Sequence, residues 1–196
     1  MKGFFQKHSY DMIKMFLNQF ATAIFGFVLV MAAGYAKNVA LRNITSVCAI
    51  AFYLFLLYTM TWDIGFADRD SVMAGRQKRN LWKGALISVC ANIPNYVFAI
   101  FITMASLFEA EFLSSIAAFC TGAALILEGM YTGLLTNSIG GAALNSYWFT
   151  YFLITLPAVI TCGVAYLAGL HDKKMTTLFN PLYPESDRDP SAKRKK

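Results

Sequence analysis

Five long stretches of this chain contain no charged residue, and this pattern limits the fold more than any other feature of the sequence. The uncharged runs cover residues 15–36, 43–62, 84–108, 112–127 and 129–170. A helix needs about 20 apolar residues to cross a hydrocarbon core of about 30 Å. The first three runs have 22, 20 and 25 residues. The sequence therefore predicts an all-α protein built as a polytopic bundle of membrane-spanning helices.

The composition supports this class and excludes several others. Charged residues make up 14% of the chain, against about 25% in soluble proteins. The four cysteines all fall inside apolar runs and none is spaced two residues from another, so they are expected to pack as small hydrophobes. No histidine pair or glycine-rich phosphate loop occurs, and no metal, cofactor or nucleic acid is predicted.

The apolar runs and the polar links between them predict five spans. These are placed at 15–36, 44–62, 84–107, 112–136 and 147–170. The segment 112–136 is counted as one helix because it contains no obvious helix breaker. A sixth span is the alternative, in which 112–146 forms a hairpin of two short spans.

The two ends of the chain differ from the spans. Residues 3–14 mix aromatic and cationic side chains, and this segment is predicted to lie along the lipid headgroups before the chain turns into span 1. Residues 1–170 are assigned to one membrane domain. The tail, 171–196, has 11 charged residues and three prolines and is predicted to be disordered.

The orientation of the chain is left open by its basic residues. Lys and Arg accumulate in short cytoplasmic loops, which puts both the charged segment 63–83 and the basic tail inside. Five spans would place these two regions on opposite sides. Six spans, with Glu128 and Gly129 at the turn of the extra hairpin, would place them on the same side.

The charged segment 63–83, called the island below, carries eight of the 28 charged residues. Three carboxylates within eight residues suit Mg²⁺, and the guanidinium groups suit phosphate. A phospholipid headgroup or a protein partner is therefore a candidate ligand. The alternative is that the island only sets topology and touches anionic lipid. The candidate contact residues are Asp63, Asp68, Arg69, Asp70, Arg76, Lys78 and Arg79.

Glu128 is the only charged residue between residues 112 and 171. An ionisable group within an apolar span is a candidate functional site, and this carboxylate is predicted to accept a proton or to bind a cation. The alternatives are a carboxylate at a hairpin turn near the membrane surface, or one that pairs with a Lys or Arg.

Three polar residues of span 3 share one helical face: Ser88, Asn92 and Asn95. Pro94 is expected to kink this helix and to leave the carbonyl of Cys90 without its usual donor. These groups could bind a cation or a polar ligand. In the alternative, the amides only hold neighbouring helices together.

Small residues recur in span 4, where Ala118 and Gly122, and then Gly129 and Gly133, are each four positions apart. Gly122 and Gly129 are predicted to share one face of a single helix. Such faces let helix backbones approach closely, so this pattern predicts packing.

These features favour a small transport-associated protein, or an accessory or scaffold subunit of a membrane complex, in the plasma membrane. Its ligand-binding candidates are Ser88, Asn92, Asn95 and Glu128. The expected partners are the lipid bilayer, an anionic phospholipid and a second membrane subunit. The alternative function is a membrane enzyme that acts on a phospholipid headgroup through the island.

Overall fold

The computed structural model describes residues 2–76, 78, 80–108 and 111–172. Of these residues, 83% are helical, which confirms the all-α prediction. The predicted disordered tail lies outside the described residues, apart from its first two positions.

Eight α-helices make up the described chain. They are α1 Lys2–Tyr35, α2 Val39–Met73, α3 Lys83–Ala91, α4 Ile93–Phe108, α5 Glu111–Leu127, α6 Thr132–Leu135, α7 Thr150–Leu153 and α8 Leu156–Leu170. Two 3-10 turns occupy Gly129–Tyr131 and Leu144–Ser146. A small antiparallel hairpin pairs β1 (Ser138–Ile139) with β2 (Ala142–Ala143).

Three described helices are long and apolar enough to cross a membrane: 8–35, 39–73 and 150–170. Two further candidates are bent pairs. The axes of α3 and α4 differ by 59°, and those of 115–127 and 129–135 differ by 85°. The described chain therefore holds three to five candidate membrane spans.

Two predicted helix boundaries are wrong. α1 is uninterrupted from Lys2 to Tyr35, so no turn follows residue 14, and Met12 lies in the main hydrophobic core. α2 continues past Trp62 to Met73, so the first half of the island is helix. Hydropathy marks where the hydrocarbon ends, whereas a helix can continue into water.

The predicted kink in span 3 is confirmed. α3 ends at Ala91 and α4 begins at Ile93, so Asn92 marks the break. Pro94 is the second residue of α4, a position where its missing N–H leaves no hydrogen bond unmade. The break therefore follows from the proline.

The prediction of one helix over 112–136 is wrong, because α5 ends at Leu127 and the chain bends at Glu128. The bend brings the next turn directly against α1. A Cβ on Gly129 would stand 2.3 Å from the carbonyl oxygen of Ala23, and one on Gly26 would stand 2.6 Å from the Cα of Met130. These two glycines allow backbone-to-backbone contact between the turn and α1.

The segment after the bend also packs on α2. A Cβ on Gly133 would lie 2.8 Å from the Arg42 carbonyl oxygen, and the Ser46 hydroxyl donates to the Met130 carbonyl at 2.5 Å. Gly122, in contrast, meets nothing within 4 Å. The predicted shared face of Gly122 and Gly129 is therefore wrong, since the break separates them.

A second close contact joins α2, α3 and α8. Gly65 faces the carbonyl of Tyr166, Gly84 faces that of Cys162, and Gly169 faces that of Trp62. None of these three positions has room for a side chain. Gly65, in the charged island, is therefore a helix-packing residue.

Contacts at the ends of α2 define the two ends of the bundle. Arg69 forms an ion pair with Asp172 at 2.8 Å, so the first residues after α8 lie beside the end of α2. We call this the island end. At the opposite end, the Asn137 side chain contacts Arg42 and Asn43 at 3.0 Å each. We call this the hairpin end.

The buried apolar residues form two clusters. The main core joins α1, α2, α3, α8 and the 129–131 turn, with residues such as Met15, Leu57, Ile87 and Met130. A smaller cluster joins α4 and α5 to Tyr151 of α7. The two helix breaks, at Asn92 and Glu128, connect the α4–α5 pair to the rest of the chain.

Candidate functional site

The carboxylate of Glu128 lies inside the bundle, where the residue is 3% exposed. Its Oε1 atom accepts two hydrogen bonds, one from Nε2 of Gln19 at 2.9 Å and one from Nδ2 of Asn95 at 2.7 Å. The site therefore joins α1, the start of α4 and the break after α5.

The hydrogen bonds continue from Asn95 to the break in span 3. Nδ2 of Asn95 also donates to Oδ1 of Asn92 at 2.9 Å, and Nδ2 of Asn92 donates to the backbone carbonyl of Ser88 at 2.9 Å. We call Gln19, Asn92, Asn95 and Glu128 the amide–carboxylate cluster. Each member is buried.

The sequence-predicted ligand residues are thus brought together, with one difference. Asn92, Asn95 and Glu128 form one connected network, whereas Ser88 joins it through its backbone carbonyl. The two helix breaks meet at this network. Polar backbone and side-chain groups from both breaks are therefore concentrated at one point in an apolar bundle.

Glu128 forms no ion pair with any residue in the described part of the chain. The alternative in which a Lys or Arg pairs with it finds no support there. Glu128 does lie at a bend of the chain, as in the other alternative, and within the bundle it is buried. A buried carboxylate without a counter-charge is costly unless it is neutralised or hydrogen-bonded, and here the donors are uncharged amides.

Among the described residues, the buried oxygen atoms without a hydrogen-bond partner include Oδ1 of Asn95 and the hydroxyl of Tyr131. Tyr131 belongs to the turn that follows Glu128. Buried polar atoms without partners are uncommon and call for an explanation. The cluster therefore has unused ligand capacity.

Gln19 was missed by sequence reasoning. It lies in the uncharged run 15–36, next to Asn18. Two adjacent amides in a predicted span were a usable signal, because polar groups in a span face the bundle interior. Tyr131 carried no comparable signal, since tyrosine is common in apolar segments.

The island separates into a paired part and an exposed part. Asp68 accepts hydrogen bonds from Nζ of Lys83 at 2.5 Å and from the hydroxyl of Tyr166 at 2.9 Å. Lys83 is 2% exposed, so this ion pair is buried where α2, α3 and α8 meet. Lys83 and Tyr166 were not among the predicted island contacts.

The three carboxylates of the island do not converge. Asp63 and Asp70 are exposed and, seven residues apart on α2, share a face that Asp68 does not. Among the described residues, no three His, Cys, Asp or Glu side chains lie close enough to hold a metal ion. The carboxylates of the island that could suit Mg²⁺ therefore form no such group among the described residues.

The cations of the island are mostly at the surface. Arg69 pairs with Asp172 and lies 5.9 Å from the centre of the Phe66 ring. Arg76 and Lys78 are exposed, and Arg79 lies outside the described residues.

A cavity of about 280 Å³ opens at the island end. Arg69 and His171 supply its polar lining, and Val72, Met73 and Leu170 supply its apolar lining. This mixture suits the junction of a charged headgroup with an acyl chain.

Comparisons of the chain with models of protein families, with curated proteins and with solved structures give no match. The function proposed below therefore rests on the contacts of the described residues.

Proposed function

We propose that this protein is a multi-pass, transport-associated membrane protein that binds a small polar solute at the amide–carboxylate cluster. The observation that carries the proposal is the 2.7 Å hydrogen bond between Asn95 and Glu128, which joins two helix breaks. Substrate and ion sites of secondary transporters are typically built where membrane helices are interrupted.

The depth of the cluster supports a site within the bilayer. Asn92 is nine residues from the start of α3, or roughly 14 Å of helix, which is about half of a ~30 Å hydrocarbon core. Gln19 lies nearer the start of the uncharged run 15–36, and its side chain reaches Glu128.

In this proposal the chain crosses the membrane completely four times and has one re-entrant segment. α1, α2, α3–α4 and α7–α8 cross, whereas 111–137 enters from the hairpin end, reaches Glu128 and returns. The contact of Asn137 with Arg42 supports the return to the hairpin end. Non-helical backbone at membrane depth is tolerated where protein buries it, as α1 and α2 do here.

This topology is consistent with the distribution of basic residues. The Arg69–Asp172 pair supports placing the island and the start of the tail on one side. The contact of Asn18 with Met60 supports antiparallel packing of α1 and α2, which puts the N-terminus there too. The N-terminus, the island and the tail are then all cytoplasmic, on the side where Lys and Arg accumulate. The plasma membrane is the proposed location.

Cysteine labelling from each side of the membrane tests the topology. In a cysteine-free background, Ser138→Cys is expected to react on the same side as Lys37→Cys, and Asp172→Cys on the same side as Arg76→Cys. All four positions are exposed. Five full crossings would instead place Ser138→Cys with Arg76→Cys and would contradict the re-entrant segment.

Thermal stability tests solute binding directly. Purified protein in nanodiscs is screened against amino acids, sugars, alkylamines and simple salts, and at least one solute is expected to raise Tm. The rise should be lost in Glu128→Gln. The matched control is Asp70→Asn, which removes an exposed carboxylate. The absence of any Glu128-dependent shift across the panel would contradict the proposal.

An accessory role is the second form of this proposal. A transport complex would then contain this chain beside another membrane subunit, with the solute bound at the same cluster. Stoichiometric co-purification of that subunit from native membranes, together with a Glu128-dependent solute effect on the complex, distinguishes this form from independent action.

The alternative of a headgroup enzyme has less support, because Asp68 is already bonded to Lys83 and Tyr166. A phospholipid contact is favoured by a specific observation, the cavity beside Arg69 and His171 at the island end. We propose that an anionic headgroup binds there without reacting.

A further inference from the structure

We infer that the solute bound at the amide–carboxylate cluster is a single alkali metal cation, held by side-chain oxygens of Asn92, Asn95 and Glu128. This inference rests on the proposed function, since it names the ligand class of the same site. It concerns both the position of the ion and its charge.

The position follows from the hydrogen bonds of one amide. Nδ2 of Asn95 lies 2.9 Å from Oδ1 of Asn92 and 2.7 Å from Oε1 of Glu128. Two oxygen atoms from different helix breaks therefore converge on one point. In the structure described, the amide group supplies the partial positive charge at that point.

The oxygen of the same amide is unused. Oδ1 of Asn95 is buried and has no hydrogen-bond partner among the described residues, and the residue is 4% exposed. The terminal torsion of asparagine has a broad, roughly two-fold preference. A half-turn exchanges the nitrogen and oxygen, which brings the Asn95 oxygen as close to the oxygens of Asn92 and Glu128 as its nitrogen is now. Three neighbouring oxygens repel one another unless a cation lies between them. The exchange breaks the two hydrogen bonds that the amide donates.

The charge of the bound ion follows from the charges of the residues around it. Glu128 is the one carboxylate of the cluster, the donors to its Oε1 atom are uncharged amides, and it has no ion pair among the described residues. One monovalent ion leaves the site neutral. A divalent ion would leave a net positive charge in an apolar interior, where isolated charges are strongly disfavoured.

Salt titrations at constant ionic strength test the inference, with Na⁺ or K⁺ replacing choline in nanodiscs of the full chain. At 100 times Kd, a bound ion is expected to raise Tm by roughly 5–10 °C. Glu128→Gln should abolish the shift and Asn95→Ala should weaken it, whereas Asp70→Asn should keep it. Wild-type ²³Na line broadening, reversed by excess K⁺ or Li⁺, gives a readout that needs no variant.

Two results would overturn the inference while leaving the proposed function intact. They are a Glu128-dependent shift with an uncharged solute, and one with Ca²⁺ but not alkali ions. A Glu128-dependent effect of pH alone, or no Glu128-dependent effect of any salt or solute, would overturn both proposals. A Glu128-dependent alkali shift together with ²³Na broadening supports both.

Discussion

Replacing Gly129 with alanine tests whether backbone contact with α1 creates the bend at Glu128. The new Cβ would stand 2.3 Å from the Ala23 carbonyl oxygen and 2.9 Å from the Phe27 Cβ. Real Cβ atoms do not approach to these distances. The carbonyl belongs to a helix backbone and cannot rotate away, so the turn must move off α1.

The expected cost can be compared with overpacking elsewhere. Inserting one methyl group into a tightly packed site typically costs about 1–3 kcal/mol. For a chain of this size, each kcal/mol lowers Tm by roughly 2–4 °C. Gly129→Ala should therefore lower Tm by roughly 2–12 °C, measured by intrinsic tryptophan fluorescence in nanodiscs.

Gly122→Ala is the matched control, because it makes the same chemical change where nothing lies within 4 Å. Gly122 is inside α5, where alanine is favoured over glycine by roughly 0.5–1 kcal/mol. The control should therefore be neutral or slightly stabilising. Equal Tm values for the two variants would refute the reasoning that Gly129 is required by its contact with α1.

Three further results are expected. Lys83→Met should cost about 3–5 kcal/mol by leaving the Asp68 carboxylate buried and unpaired, and adding Asp68→Leu should recover most of that loss in thermal unfolding; additive losses would contradict the buried pair. Gln19→Met should cost about 1–3 kcal/mol by removing a hydrogen bond to a buried carboxyl oxygen, whereas Asn18→Met, whose amide contacts a thioether, should cost less in the same assay. Arg69→Ala should reduce the anionic phospholipid that remains bound after detergent washing, measured by mass spectrometry; unchanged retention would exclude the headgroup cavity.

The candidate site was predictable because hydrocarbon restricts where polar groups can go. Asn92, Asn95 and Glu128 come from separate parts of the chain, yet each lies in an apolar segment. Such groups must turn toward the protein interior, and in a small bundle they meet. Their hydrogen bonds confirm that they lie together, while their role in binding stays a prediction.

A turn at Glu128 and Gly129 was considered from the sequence only as the alternative with six spans, because local sequence marks it weakly. No proline marks it, and the glycines near it read as a packing face within one helix. The bend depends on Gly26, which is more than 100 residues earlier in the chain. Without knowledge of that contact, the count of spans and the distribution of basic residues contradicted each other.

The contact between Ser46 and the Met130 carbonyl has a consequence for biogenesis. The 129–135 segment is too short to enter a bilayer alone, since its unpaired backbone groups would face lipid. α1 and α2, synthesised earlier, provide both the glycine surface and the hydroxyl that receive it. In the proposed topology, insertion should therefore be sequential: α1 and α2 enter the membrane first, and the 129–135 segment packs against them once it is synthesised.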